Sequence, residues 1–386
     1  MMDTPPRLPP HIAFGRKLAP WVRYNLSDSC AQTLSVAELL SFAGEDPGAL
    51  QLSYASLQGD EALRGAIADL HNQLNCAQPA DRHACAAEHV VTFSGAQEAL
   101  HAVYRALLRP GDEVIVMTPC YPSLLTLVTA CGARPVTLAL TDAEGWQPDM
   151  ARLETLFTDK TRLVVVNSPH NPSGAVFDSA TRRQLLSLAE RHGCYLLSDD
   201  VSQGTNPFGV DLAHDYFRYD KAVMVSVMSK SFGLGGVRIG WAVAREDVLL
   251  ESLQASKAQG SICTSAVDEK LALWALQARD AIFARNNARV AENLSAFDQF
   301  IAGHSQHFSW HRPQAGLLAL VKVNCTGAVE NWCLATAQQT GVGFMPAKVF
   351  GLDGPFVRLG LGRADFREGL ELLAEGVAGN TGYSRG

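Results

Sequence analysis

The sequence predicts an α/β fold in which a mostly parallel sheet is covered by helices, together with a smaller α+β domain. Three observations support this prediction. Helical and strand-like segments alternate from about residue 60, the strand-like segments are short runs rich in Val, Ile and Leu, and the alternation stops near residue 246. Strands of a parallel sheet read as continuous apolar runs because helices bury both faces of the sheet.

The elements of the first two thirds follow from local periodicity. Residues 1–44 form a Pro-rich arm, in which one short helix is expected near residues 35–43. Apolar residues recur at helical spacing in four later segments, so helices are predicted at 61–75, 97–108, 123–131 and 180–192. Strands are predicted between them, at 90–93, 113–117, 162–166, 194–197, 223–227 and 238–243.

The last third has a different pattern. A long helix is predicted at 281–301, and separated strands follow at 317–323 and 356–361. We interpret these elements, with the N-terminal arm, as a second α+β domain built from both chain ends. The expected division is an arm at 1–44, a large domain at 45–275 and a small domain at 276–386.

Composition excludes several classes of function. The net charge of −7 over 386 residues gives no electrostatic reason to expect nucleic acid or an anionic membrane as partner. No apolar run approaches the roughly 20 residues that span a bilayer, and the N-terminus does not resemble a secretion signal. The nine cysteines include no Cys-x-x-Cys pair, so we expect no metal site, no disulfide framework and a cytoplasmic location.

Lys230 is the main candidate for catalysis. It follows a predicted strand, at the edge where open α/β sheets bind their ligands. A lysine amine there can form a Schiff base with an aldehyde cofactor. Arg238, eight residues later, supplies a fork of donors suited to phosphate. The alternative is a surface lysine and an arginine engaged in an ion pair.

Three further motifs also stand at predicted strand ends. In Asp199-Asp200, one carboxylate would pair with a protonated pyridine nitrogen, or the two acids would cap a turn or bind a metal. Asn171, in His-Asn-Pro-Ser-Gly, offers an amide to a ring oxygen, or belongs to an ordinary Asn-Pro turn. Gly95 precedes a predicted helix whose free N–H groups would bind phosphate.

In this order, and over nearly the full chain, these motifs resemble those of the class I and II aminotransferases of pyridoxal phosphate (PLP) fold type I. The resemblance implies a large domain with a seven-stranded type of sheet and PLP bound to Lys230 as a Schiff base. Asp199 would hold the pyridine nitrogen, Asn171 the ring oxygen, and Tyr121 would stack on the ring. The phosphate would be bound by Gly95, Ala96, Gln97, Ser229 and Arg238.

The resemblance also implies how substrate and a second subunit meet the site. Arg358 falls where the family grips the substrate α-carboxylate, with Asn171 nearby. Tyr54 matches the tyrosine that reaches the phosphate of the neighbouring subunit, which implies a homodimer with shared active sites. Ser27 and Asp28 of the arm are expected over the side-chain pocket, where Asp28 would favour a basic substrate or serve only as a turn residue.

Two positions depart from the family pattern. Ser202 stands where a tyrosine usually donates to the ring oxygen, and Val227 where a phosphate-binding serine is frequent. Ser202 is still expected near the cofactor. The sequence around these motifs resembles a branch of the family that includes capreomycidine synthase. Enzymes of that branch catalyse elimination from modified arginines and their cyclisation.

The predicted function is therefore PLP-dependent chemistry on a free α-amino acid, with Lys230 removing the Cα proton. Transamination, with a 2-oxo acid as acceptor, is the preferred prediction. Elimination, replacement or cyclisation of an arginine-derived substrate is the alternative. A non-catalytic PLP-fold regulator is disfavoured because no DNA-binding module or basic patch is evident. A dehydrogenase is disfavoured because no G-x-G-x-x-G follows an early strand.

Overall fold

The computed structural model describes residues 8–43, 46–75 and 83–379. The expected boundary between the arm and the large domain, at residues 44–45, therefore lies outside the described residues. The arm contributes three elements, helix α1 (Pro10–Leu18), strand β1 (Tyr24–Asn25) and helix α2 (Val36–Ala43). Helix α1 was not predicted. The prolines Pro9 and Pro10 suggested an irregular segment. Proline is nevertheless well accommodated in the first turn of a helix, where its missing N–H would have no hydrogen-bond partner within the helix.

The centre of the molecule is a seven-stranded sheet, as predicted. Its strands are β2 (Val90–Phe93), β3 (Glu113–Thr118), β4 (Arg134–Ala139), β5 (Thr161–Asn167), β6 (Tyr195–Asp199), β7 (Ala222–Val227) and β8 (Gly240–Ala244). Their order is β2-β8-β7-β6-β5-β3-β4. Only β8 runs against its neighbours, so the sheet is mixed but mostly parallel.

Helices cover this sheet on both faces. They are α3 (Glu61–Leu74), α4 (Ala96–Leu107), α5 (Ser123–Ala130), α6 (Met150–Glu154), α7 (Ser179–His192), α8 (Asp247–Gln259) and α9 (Ala266–Gln277). Two separate apolar cores lie on the two faces, one around α4 and α8 and the other around α3, α7 and α9. This arrangement leaves the carboxyl edge of the parallel strands as the place for a ligand.

The smaller α+β domain combines both ends of the chain, as predicted. Its further elements are α10 (Arg279–Gly303), β9 (Phe308–Trp310), β10 (Leu318–Val323), α11 (Val329–Thr340), β11 (Val342–Gly343), β12 (Met345–Pro346), β13 (Phe356–Gly360) and α12 (Phe366–Gly379). Strands β12, β13, β10 and β9 form an antiparallel sheet, and β1 of the arm pairs with β11. Phe14, Leu18 and Leu26 of the arm share a buried core with the C-terminal elements. Within the described ranges, no helix has both the length and the apolar character that crossing a membrane requires.

Candidate active site

A cavity of about 170 Å³ lies beside the carboxyl ends of β6 and β7. It brings together residues that the sequence places far apart, because the ends of neighbouring parallel strands meet at one edge of the sheet. Its lining consists of Ala96, Gln97, Leu100, Tyr121, Asn171, Asp199, Val201, Val227, Ser229, Lys230 and Arg238. Most of the residues that the sequence motifs predicted to bind a cofactor therefore line this cavity.

Asp199 and Asp200 have different surroundings. Asp199 lines the cavity and accepts one long hydrogen bond, from the Val201 N–H at 3.4 Å, and burial raises its pKa to about 7. The Asp200 carboxylate instead accepts the Ser198 hydroxyl at 2.5 Å and contacts His214 Nε2 at 3.1 Å. Burial acts to raise the pKa of Asp200, but His214 and these hydrogen bonds bring it below its ordinary value. Of these two aspartates, Asp199 is thus the one without an ion-pair partner among the described residues, whereas Asp200 pairs with His214.

The amino end of α4 meets Arg238 at one end of the cavity. Gly95 precedes the helix with φ of 89° and provides no side-chain cap. Arg238 Nη2 donates to the Ser94 carbonyl oxygen at 3.2 Å, and a Cβ on Gly95 would lie 2.3 Å from that Nη2. Arg238 Nη1 donates to the Ser229 hydroxyl at 3.5 Å. Helix N–H groups, a guanidinium and a hydroxyl therefore converge, which is an arrangement that suits phosphate.

Tyr121 and Asn171 lie on the walls between these two ends. The Tyr121 hydroxyl donates to Gln97 Oε1 at 3.5 Å. The Asn171 backbone N–H donates to Asn167 Oδ1 at 2.7 Å, which fixes the loop after β5. Arg358 Nη1 reaches Asn171 Oδ1 at 3.5 Å, so this asparagine stands between the cavity and the arginine on β13.

Arg358 is buried and only partly satisfied. Its Nη2 donates to the Ser27 carbonyl oxygen at 2.8 Å, and its guanidinium lies 4.7 Å from the centre of the Phe350 ring. Its Nε has no hydrogen-bond partner in the described part of the chain. Burial lowers the pKa of Arg358 to about 10. A buried guanidinium with an unused donor is suited to an incoming carboxylate.

The N-terminal arm crosses the site and touches Lys230 directly. The Lys230 Nζ donates to the Ser29 hydroxyl oxygen at 2.6 Å. Ser27 is buried and its carbonyl holds Arg358. Asp28 accepts the Cys30 backbone N–H at 3.1 Å and lies 3.7 Å from Arg363, so its carboxylate takes part in a local turn and in an ion pair.

Of two further residues expected near a cofactor, Ser202 lies away from this cavity, and Tyr54, which was expected at the phosphate of the neighbouring subunit, lies on the surface. Ser202 is buried in the turn after β6, where its carbonyl oxygen accepts the Thr205 N–H at 3.0 Å, and it is not part of the cavity lining. Tyr54 is 88% exposed and lies outside that lining. A single chain therefore gives Tyr54 no role in this cavity.

Sequence reasoning missed three residues at the site: His11, Ser29 and Cys30. The His11 ring lies 5.3 Å from the Tyr121 ring, and its Nδ1 is buried without a partner among the described residues. Burial, and then the charges of Arg358 and Lys230, lower the pKa of His11. No sequence pattern pointed to His11, because the helix that carries it, α1, was not predicted. Ser29 and Cys30 could have been found, because they directly follow Asp28, which was expected over the side-chain pocket.

The residues present fit PLP. Asp199 is a buried carboxylate that forms no ion pair within 4 Å among the described residues, and burying such a charge unpaired is unfavourable. A protonated pyridine nitrogen would supply a cation to pair with it. The cradle of Arg238, Ser229 and the α4 N-terminus suits the phosphate, and the Lys230 amine lines the same cavity. No cluster of three or more metal-ligating side chains occurs in the ranges that the structure describes.

Comparison with known proteins gives consistent results. The family model for aminotransferase class I and II matches residues 45–370. Capreomycidine synthase of Streptomyces vinaceus is 32% identical over 326 residues, which cover 82% of this chain and 79% of that protein. An arginine–pyruvate transaminase of Pseudomonas aeruginosa is 32% identical over 336 residues, covering 83% and 81%. The crystal structure of a PLP-dependent cyclase, OrfR, superposes with a TM-score of 0.86 at 27% identity, covering 98% of this chain and 100% of that one.

Proposed function

We propose that this chain, which belongs to the class I and II aminotransferase family, transfers the amino group of a free α-amino acid to a 2-oxo acid. It is an enzyme of the PLP-dependent aminotransferase type, and PLP is its cofactor. The observation that carries the proposed reaction is the grouping of Lys230 and Asp199 in one cavity, with Arg358 reaching Asn171 on its wall.

Each wall of the cavity has a part in this proposal. Asp199 would hold the pyridine nitrogen in its protonated form, and Asn171 would donate its amide to the ring oxygen. Tyr121 would pack against the ring. Ser229, Arg238 and the N–H groups that follow Gly95, namely those of Ala96 and Gln97, would hold the phosphate. When bound, the cofactor supplies an aldehyde that joins the substrate amine and a ring that withdraws electrons from the substrate Cα.

The chain's own residues position the substrate and move its proton. Arg358 binds the α-carboxylate through the donors that the arm leaves unused. This anchor fixes the Cα hydrogen relative to Lys230, whose Nζ removes it as a base. The low-dielectric surroundings of Asp199 strengthen its interaction with a cationic ring.

The alternative is elimination or cyclisation of an arginine-derived amino acid. It is favoured by the 32% identity to capreomycidine synthase and by the likeness to a PLP-dependent cyclase. Ser202, in place of the usual tyrosine and outside the cavity lining, leaves the ring without that hydroxyl. Under both readings a basic substrate agrees with the arginine–pyruvate transaminase among the relatives. The Asp28 carboxylate is engaged by Arg363 and the Cys30 N–H in this structure, so it would have to leave that ion pair to contact such a side chain.

We also propose the organisation in which this site works. The arm (1–44) and residues 276–386 form the small domain, and residues 45–275 form the large one. The chain is proposed to act as a homodimer, in which exposed Tyr54 reaches the phosphate in the partner subunit's cavity.

An amino-acid screen without any 2-oxo acid tests the proposed reaction. Arginine and hydroxylated arginines are added singly while the cofactor spectrum and the products are followed. Stoichiometric loss of the visible band, reversed by pyruvate or 2-oxoglutarate, is the result expected of a transaminase. Sustained turnover with the band retained, and a product lighter by water or another leaving group, would overturn transamination in favour of the lyase or cyclase.

A further inference from the structure

The Lys230 side chain is held by the N-terminal arm rather than by the large domain. Its Nζ lies 2.6 Å from the Ser29 hydroxyl oxygen and 3.8 Å from the Cys30 sulfur. The Lys230 carbonyl oxygen also accepts the Ala31 N–H at 3.0 Å. The arm therefore contacts this lysine through both its backbone and its amine, although Ser29 and Lys230 are 201 positions apart in the sequence.

The position of Ser29 is fixed by steric fit. Gly233, in the loop after Lys230, lies so close to the arm that a Cβ there would approach the Gln32 carbonyl oxygen to 2.5 Å. On the other side, Arg358 donates to the Ser27 carbonyl at 2.8 Å. The arm is thus held on both flanks of Ser29, so the serine hydroxyl has a defined place beside the amine.

The groups that surround the Lys230 amine differ in charge. Ser29 is neutral, and burial raises the pKa of the Cys30 thiol, which keeps that group neutral as well. The Asp28 carboxylate is engaged by the Cys30 N–H and by Arg363. Asp199 and His11 interact with Lys230 electrostatically. The amine itself donates a short hydrogen bond to the Ser29 hydroxyl and a longer, weaker one to the Cys30 sulfur.

We infer that Ser29 is a positioning residue that stabilises the Lys230 amine when it is not joined to the cofactor. This inference rests on the proposed function, in which the substrate amine must displace Lys230 before the lysine acts as a base. The hydrogen bond from Nζ to Ser29 lowers the free energy of the displaced lysine. It therefore favours exchange toward the substrate and keeps the amine beside the cavity.

The inference predicts an unusual effect on cofactor binding. In the cofactor-free protein the Lys230 amine must leave Ser29 in order to join the aldehyde of PLP. Ser29→Ala removes that competing hydrogen bond, so PLP is expected to bind about fivefold more tightly, on the scale of the typical net contribution of one hydrogen bond. The analogue 4-deoxypyridoxine 5′-phosphate has no aldehyde and leaves the lysine in place. Its affinity is expected to be the same in Ser29→Ala and in the parent protein.

The experiment titrates cofactor-free full-length protein with these two probes. Ser29→Thr keeps the hydroxyl and is expected to restore the parent affinity for PLP, while Ser29→Cys, which keeps the volume with a weak acceptor, should behave like Ser29→Ala. Ser252→Ala is the matched control, since that exposed hydroxyl bonds only the Val248 carbonyl of its own helix. Equal PLP affinity in Ser29→Ala and the parent, or weaker binding of both probes, would overturn the inference.

The same titration separates this inference from the proposed function. A parent protein that develops no visible band with PLP would overturn the cofactor assignment and the inference together. A parent protein that develops the band, with no tightening in Ser29→Ala, would overturn the role of Ser29 alone.

Discussion

Gly360 lies so close to Asp28 that a Cβ atom on Gly360 would stand 1.8 Å from the Asp28 carbonyl oxygen. Gly360 ends β13, the strand that carries Arg358, and its N–H donates to the Leu26 carbonyl at 2.8 Å. Only a residue without a side chain lets the arm lie against this strand. The arm's contacts with Arg358 and Lys230 depend on that close approach.

Gly360→Ala is therefore expected to move the arm and to lower kcat/KM on the order of 100-fold, as misplacement by about 1 Å does in other active sites. Steady-state kinetics and circular dichroism measure the loss and verify the fold. Gly65→Ala is the control, because nothing lies within 4 Å of a Cβ there and alanine is the better helix former. Full activity in Gly360→Ala would show that the arm does not need this position.

The two neighbouring aspartates are expected to differ in their effect on catalysis. Asp199→Ala removes the carboxylate that lines the cavity and should lower kcat at least about 100-fold, the usual scale for losing a charge partner of the transition state. Asp200→Ala breaks contacts with Ser198 and His214 outside the cavity lining, so its main effect is expected on thermal stability. A larger loss of kcat from Asp200→Ala than from Asp199→Ala would contradict this assignment, because it would indicate that Asp200 is the partner of the pyridine nitrogen.

Asp199 also gives the cofactor-free protein a pH-dependent stability. Burial raises its pKa to about 7, whereas an unfolded aspartate titrates near 3.9. The folded state retains a proton that the unfolded chain loses between about pH 4 and pH 7, so stability falls as pH rises through that window. Asp199→Asn does not titrate. Its melting temperature should exceed that of the parent at pH 8, and the difference should be clearly smaller at pH 5. The same difference in melting temperature at the two pH values would contradict this.

The central strands were predictable because each is a continuous apolar run. The exception is β4, which is largely exposed and contains Pro135 next to Arg134, so its residues lack the pattern of a buried strand. Proline and partial exposure are features of edge strands, and β4 is the outer strand of the sheet. A pattern that identifies central strands therefore does not detect this one.

The positions of the site residues were predictable where they end a strand or lie in the loop just after one. Lys230, Asp199 and Asn171 stand in local motifs whose place at the strand ends follows from the parallel sheet. Their contacts with the arm were not predictable, because the bond from Lys230 to Ser29 joins residues 201 positions apart. Such a contact depends on how the two chain ends pack, which no local pattern records.

Complementation between two inactive variants tests the proposed homodimer. Tyr54 is 88% exposed in the single chain, as a residue that serves a neighbouring subunit should be. Tyr54→Ala and Lys230→Ala are each expected to be nearly inactive. Their mixed dimers hold one cavity with both defects and one with neither, so co-expression should restore part of the activity. A fully active monomer in sedimentation would contradict the shared site.

Lys230 is the residue on which the cofactor assignment depends. Borohydride reduction of the PLP-loaded protein, followed by peptide mass spectrometry, locates the lysine that carries the cofactor. We expect the reduced pyridoxyl group on the peptide that contains Lys230. Lys230→Ala should fold normally but show neither this adduct nor the visible band. A reduced adduct on another lysine, or one retained in Lys230→Ala, would contradict the assignment.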